Sequence, residues 1–168
     1  MQVASPSRER VQTYMHLRDE IELTVGRING DFATISHTAI SYHHHGYPRE
    51  EMVALYLAAD VMLVTALRDG MNLVAKEYVA TRFDDDGVLI LSEFAGAADE
   101  LKRAMLVNPH DIDGLKDTIL QAIAMPKRDR TARMRSLRRR VLENDVEKWS
   151  AEFLRVLTDS HNGRGRKD

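Results

Sequence analysis

VMLVTALRDGMNLVAKEYVAT, residues 61–81, brings three local signals together in one short span. Val61, Met62, Leu63, Val64 and Thr65 form an apolar, β-branched run of the kind expected for a strand buried on both faces of a parallel sheet. Arg68, Asp69 and Gly70 then put two charges and a conformationally free residue where that strand ends. From Met71 or Asn72 through Arg82 the residues are good helix formers, and Asn72 is able to cap them. The order is strand, loop, helix. In open α/β sheets this arrangement sits at the carboxyl edge, where ligands bind, and a helix start offers unpaired N–H groups suited to phosphate. Asp69 just before the helix and Glu77 within it add two acceptors for sugar hydroxyls. A sugar nucleotide carries both kinds of group. The pattern is also common to α/β domains at large, so Asp69 reads equally as a helix-capping acid and Glu77 as a solvated residue paired with a nearby Lys or Arg.

Working outward, 168 residues suffice for one domain with a proper core and are too few for two of ordinary size. With 30% charged residues and a net charge of −2, the global balance points neither to nucleic acid nor to an anionic membrane. No apolar run approaches the ~20 residues of a spanning helix, and MQVASPSRER lacks the apolar core of a signal peptide. A cytosolic protein is expected. The absence of cysteine excludes disulfides and thiolate metal sites or nucleophiles.

Ser5-Pro6 reads as a helix start, with Arg8 on the first turn. Val11, Tyr14, Met15, Ile21, Val25 and Ile28 then fall near one face, predicting one long helix that ends at Asn29-Gly30. Residues 38–42, TAISY, predict a short strand followed by a loop with His43, His44 and His45. Consecutive histidines on extended chain point in alternate directions, and no cysteine or nearby carboxylate completes a tetrahedral set, which argues against a native metal site. Pro48 with Glu50 and Glu51 opens another helix, with Met52, Leu55 and Tyr56 on its apolar face.

Beyond the central span, residues 83–87 predict a turn, with Asp84, Asp85 and Asp86 solvated rather than set out as a calcium loop. Residues 88–91 predict a second buried strand and 105–107 a third. A helix from near Asp111 is expected to bury Ile112, Leu115, Ile119 and Ile123 until Pro126 breaks it. Residues 127–140, KRDRTARMRSLRRR, hold eight Lys or Arg yet keep Met134, Leu137 and Val141 in a helical stripe. Solvated faces of an amphipathic helix fit that pattern better than a nucleic-acid patch. Val146, Trp149, Phe153 and Leu157 define a final helix, and residues 159–168 read as a disordered tail.

RDGMNLVAKEY, residues 68–78, resembles the signature of the trehalose-6-phosphate synthase family, retaining glycosyltransferases with two Rossmann-like domains. SPSRERVQTY, GRINGDF, LILSEFAGAADEL, LVNPHD and NDVEKW resemble blocks of that family's carboxyl-terminal domain, in the same order, so the likeness spans residues 2–157. It implies that backbone N–H groups among Leu73, Val74, Ala75 and Lys76 meet the donor diphosphate, and that Glu77 accepts from ribose hydroxyls. It further implies that Asp69, with the backbone of Gly70, Met71 and Asn72, holds the donor glucose and takes the catalytic position. Arg8 matches the arginine that reaches the acceptor's phosphate, a task suited to a permanently charged fork. Tyr47 matches a position lining the base pocket through its backbone, and the small residues of 92–101 match the wall of the donor cleft.

Departures accompany the likeness. Ala66 stands where the family usually has proline, and the His43–His45 run is atypical. The family's amino-terminal domain, with an Arg and a Lys that grip the diphosphate just before the matched region, has no counterpart in these residues. The expectation is therefore an α/β, Rossmann-like parallel sheet flanked by helices, one half of a two-domain glycosyltransferase fold. Residues 1–158 would form the donor-nucleotide-binding domain. The implied reaction moves glucose from UDP-glucose or ADP-glucose to glucose 6-phosphate with retention, without a cofactor, metal, nucleic acid or membrane. A complementing amino-terminal domain or a homo-oligomer would complete the cleft, and the isolated chain would not turn over. The alternative is a non-catalytic nucleotide-sugar-binding or regulatory module that docks on a partner through its last helix.

Overall fold

Two-residue strands and a long helix make up the first part of the chain, and a three-stranded sheet wrapped by helices makes up the second. The structure, a computed structural model, describes residues 1–7 and 10–164, with side chains up to residue 159. The chain divides into two compact units, residues 1–52 and 53–168.

In the first unit, β1 (Gln2–Val3) precedes α1 (Gln12–Phe32) and β2 (Tyr42–His43), and the two strands pair in parallel, Gln2 opposite Tyr42 and Val3 opposite His43. The expected helix start at Ser5-Pro6 is thus incorrect. Residues 2–4 are extended in a ladder in which Ala4 N–H donates to the His43 carbonyl at 2.9 Å, and the helix begins only at Gln12. Nor does Asn29-Gly30 end it. The Asn29 amide donates to the Ile40 carbonyl at 2.9 Å and accepts from Ile40 N–H at 2.8 Å, while the helix runs on to Phe32. The same pair of bonds explains why the strand expected over 38–42 is confined to Tyr42–His43, since Ile40 has no ladder groups left to offer. Along α1, Ile21, Val25 and Ile28 form a half-buried stripe, whereas Val11, Tyr14 and Met15 are exposed.

Helix α2 (Arg49–Ala58) crosses the division between the units, with Glu50 and Glu51 in its first turn as the sequence predicts. The second unit continues through β3 (Val61–Val64), α3 (Leu73–Thr81), β4 (Val88–Ser92), a 3₁₀ turn (Gly96–Asp99), β5 (Met105–Val107), α4 (Ile112–Ile123), α5 (Lys127–Glu143) and α6 (Val146–Arg164). The sheet order is β3-β4-β5, all parallel, with Val61 opposite Val88 and Ile90 opposite Met105. The fold is therefore the expected α/β arrangement of parallel strands flanked by helices.

Which strand is buried on both faces differs from the expectation. That place belongs to β4, whose five residues are all buried. In β3 only Val64 is buried and Leu63 is 42% exposed, because an edge strand has a neighbour on one side alone. Leu115, Ile119, Ala122 and Met125 pack with Val61, Val88, Ile90 and Val107 on one face. Leu89 and Leu91 alternate to the other face, the side of α3 and α5, where Tyr78, Val79, Met134 and Leu137 are buried. Ile112 and Ile123, expected on the buried side of α4, are exposed, since its stripe runs through Leu115, Ile119 and Ala122.

The Asp84–Asp86 turn is not solvated in the way its composition suggests. Asp86 takes both Nε and Nη2 of Arg130 at 2.7 and 3.2 Å, and Asp85 accepts from Arg135 at 2.8 Å and Arg138 at 3.2 Å. The arginines of α5 thereby fasten the helix to the turn before β4. On α6, the Trp149 and Phe153 rings stack 5.4 Å apart and both are more than half exposed. This helix reaches Arg164, into the segment read as a tail, and residues 165–168 lie outside the described residues. Among the described residues, no helix is long and apolar enough to cross a membrane.

Candidate functional site

At the end of β3 the chain folds over a single carboxylate. Asp69 accepts from the Met71 N–H at 3.1 Å through Oδ1 and from the Asn72 side-chain amide at 3.0 Å through Oδ2. Asn72 then accepts from the Ala75 N–H at 3.0 Å, the bond expected of an N-cap. This residue takes a left-handed backbone, φ 73°, which Asn tolerates better than most side chains. Gly70 makes no such demand, because a Cβ there would meet nothing within 4 Å.

The loop is held from behind by the segment after β4. Asp69 N–H donates to the Phe94 carbonyl at 3.2 Å, Gly96 N–H to the Asp69 carbonyl at 3.1 Å, and Ala97 N–H to the Met71 carbonyl at 2.7 Å. A Cβ at Gly96 would lie 2.2 Å from the Gly70 carbonyl oxygen, so this position admits only glycine without displacing backbone. The small residues of 92–101 thus serve close approach to the loop.

The capping leaves the Leu73 and Val74 N–H groups at the first turn of α3 without an intrahelical acceptor, and both residues are exposed. They carry the positive end of the helix dipole. Lys76 is directed elsewhere, to Glu100 Oε1 at 2.8 Å. Met71, Leu73 and Lys76 border an open cavity of about 450 Å³, closed on other sides by Glu100, Arg140 and Trp149.

Glu77 is exposed and its partner is neither Lys nor Arg. Tyr56, on the last turns of α2, donates its hydroxyl to Glu77 Oε2 at 3.2 Å. Burial and the adjacent Glu77 carboxylate push the Tyr56 phenol up to about 12, so it keeps its proton. Arg82, buried in spite of its charge, fixes this helix end. Its Nη1 donates to the carbonyls of Tyr56, Leu57 and Ala59 at 3.0, 3.0 and 2.7 Å, and its other nitrogens grip Asp84 in a bidentate pair. The Tyr78 ring meets Tyr56 edge-on at 6.1 Å. From the sequence Tyr56 is expected only on an apolar face, yet a buried tyrosine hydroxyl ordinarily requires a partner.

Of the remaining site candidates, Tyr47 belongs to the other compact unit, where its hydroxyl bonds His43 Nδ1 at 2.6 Å while His43 Nε2 meets Ser41 Oγ at 2.8 Å. Arg8 lies outside the described residues. Asp69, Met71, Asn72 and Ala75 are joined in one hydrogen-bonded loop and Glu77 follows on the same helix.

The model of glycosyltransferase family 20 matches residues 1–159. Trehalose-6-phosphate synthase of Mycobacterium avium (strain 104) is 55% identical over 160 residues, which are 95% of this chain and 32% of that protein. Among solved structures, an α,α-trehalose-phosphate synthase (UDP-forming) from Burkholderia xenovorans in complex with glucose-6-phosphate superposes with a TM-score of 0.89 at 46% identity. The match covers 94% of this chain and 35% of that one. A structure from E. coli, described as trehalose-6-phosphate bound with UDP-2-fluoro glucose, gives 0.89 at 40% identity, over 93% of this chain and 35% of the other. The chain spans about a third of the length of the curated relatives it matches.

Proposed function

The chain belongs to glycosyltransferase family 20, and from that membership we propose that it is the donor-binding part of a trehalose-6-phosphate synthase, which transfers glucose from UDP-glucose or ADP-glucose to glucose 6-phosphate with retention. The observation that carries the proposal is the capped start of α3, where Asn72 satisfies Ala75 and leaves the Leu73 and Val74 N–H groups without an intrahelical acceptor at an exposed helix terminus. In this reading those groups, at the head of the segment from Leu73 to Lys76, meet the donor diphosphate. They stabilise the charge that builds on it as the glycosidic bond breaks, an electrostatic contribution that demands donors already in position.

Asp69 serves the donor glucose. Each of its carboxylate oxygens accepts one protein hydrogen bond, so each keeps capacity for a sugar hydroxyl. Gly70, Met71 and Asn72 supply backbone on the same side, Glu77 takes the ribose, Tyr47 the base through its backbone, and Arg8 the acceptor phosphate. Orientation of two substrates supplies much of the rate in such a reaction. A cleft of this kind needs a second domain, provided by an amino-terminal part or by another chain, and a cytosolic location belongs to the same proposal.

Calorimetric titration of the chain with UDP, UDP-glucose and ADP-glucose tests it, with Glu77→Ala in parallel. Binding by the wild type that falls about tenfold or more in the variant is expected, the loss of hydrogen bonds to a charged acceptor. A folded wild-type chain that binds none of the three would remove the reading.

A further inference from the structure

We infer that Tyr56 is a positioning residue for Glu77 and, through it, sets the preference of the site for a nucleotide that carries its ribose hydroxyls. The inference rests on the assignment of Glu77 to the ribose. An exposed glutamate on a helix ordinarily samples several rotamers, and each hydrogen bond it makes to a ligand then costs the entropy of fixing them. Glu77 is exposed, yet its Oε2 is held at 3.2 Å by a hydroxyl from a different element.

That hydroxyl is carried by a packed ring. Tyr56 is only 5% exposed, its ring is met edge-on by Tyr78, and its own carbonyl is held at 3.0 Å by Arg82. Arg82 is clamped in turn by Asp84. The chain of contacts runs from the β4-side turn through Arg82 and Tyr56 to one carboxylate oxygen, and leaves Oε1 free of any partner among the described residues. One oxygen is anchored and the other is presented. Such an arrangement favours a ligand with a hydroxyl at one defined place, because a site built to hydrogen-bond an OH rejects the analogue that lacks it.

The test compares UDP with 2′,3′-dideoxy-UDP, titrated into the wild-type chain, Tyr56→Phe, Glu77→Gln and the double variant. Tyr56→Phe keeps the ring and its contact with Tyr78 and removes only the donor. The Kd for UDP is expected to rise about fivefold in Tyr56→Phe, while that for the dideoxy nucleotide stays unchanged, and Tyr56→Phe is expected to add nothing in the Glu77→Gln background. Equal losses for both nucleotides would signify a general structural effect and overturn the inference. So would full discrimination retained by Tyr56→Phe. A wild-type chain that binds UDP yet fails to distinguish the two nucleotides would instead overturn the assignment of Glu77, and the inference with it.

Discussion

A methyl group is enough to test how closely the loop after β3 is backed. At Gly96 it would stand 2.2 Å from the Gly70 carbonyl oxygen and 3.3 Å from the Met71 Cα, both backbone atoms that cannot swing aside. Gly96→Ala is therefore expected to lower stability by about 1–3 kcal/mol, the usual range for overpacking. Urea denaturation measures it, with Gly70→Ala as the comparison, expected within about 0.5 kcal/mol of wild type. Equal stabilities for the two variants would contradict the packing described. In the sequence, conformational freedom is expected at Gly70, which stands in a loop beside Asp69. The requirement at Gly96 comes from a contact between segments far apart in the chain, and nothing in its immediate neighbours announces it. Asn72, by contrast, was legible as a cap because the bond it makes is to a residue three positions on.

At the scale of elements, the junction between the Asp84–Asp86 turn and α5 is an acid-sensitive fastening. Hydrogen bonds from Arg135 and Arg138 hold the Asp85 carboxyl below its ordinary value of 3.8. For Asp86 burial works in the opposite direction, but the Gly87 N–H and Arg130 outweigh it and the net shift is also downward. A carboxylate depressed in the folded state contributes stability above its unfolded pKa and loses it as pH falls through the lower folded value. Stability is thus expected to fall between about pH 5 and pH 2 more steeply in wild type than in Asp85→Asn/Asp86→Asn. Thermal unfolding across that range measures the difference, and parallel curves would remove the fastening role. The helix itself was legible from its Met134, Leu137 and Val141 stripe. Its attachment was not, because Asp86 and Arg130 are 44 positions apart and the run of aspartates is as reasonable in water as in an ion pair. β1 escaped for a related reason: two residues carry no periodicity, and it exists only through its pairing with β2, itself a shortened and shifted form of the strand expected over 38–42.

For the molecule as a whole, the alkaline limb reports on the core. The Tyr78 phenol is pushed up to about 12, principally by burial, as the Tyr56 phenol is by burial and Glu77. A group that keeps its proton longer when folded contributes stability below its unfolded pKa of 10.0 and loses it as pH rises toward 12. Absorbance titration is expected to show Tyr56 and Tyr78 retaining their protons well above pH 10, and Tyr78 alone doing so in Tyr56→Phe. The parallel sheet and its flanking helices were legible because apolar runs of four or five residues alternate with helical stripes, a pattern carried by each segment alone. Which strand would be central was not, since β3 and β4 read alike and only the strand order separates them.

The arginines of α5 have a further consequence. A polyanion such as DNA gains affinity for basic proteins largely by releasing the cations condensed along its own phosphates, one for each charge the protein supplies. Arg130, Arg135 and Arg138 already carry a covalently tethered counterion in Asp85 or Asp86. To greet a phosphate, each would first have to part from an anion that cannot diffuse away. Three of the eight cations that the sequence sets in a row are, once folded, already part of a salt.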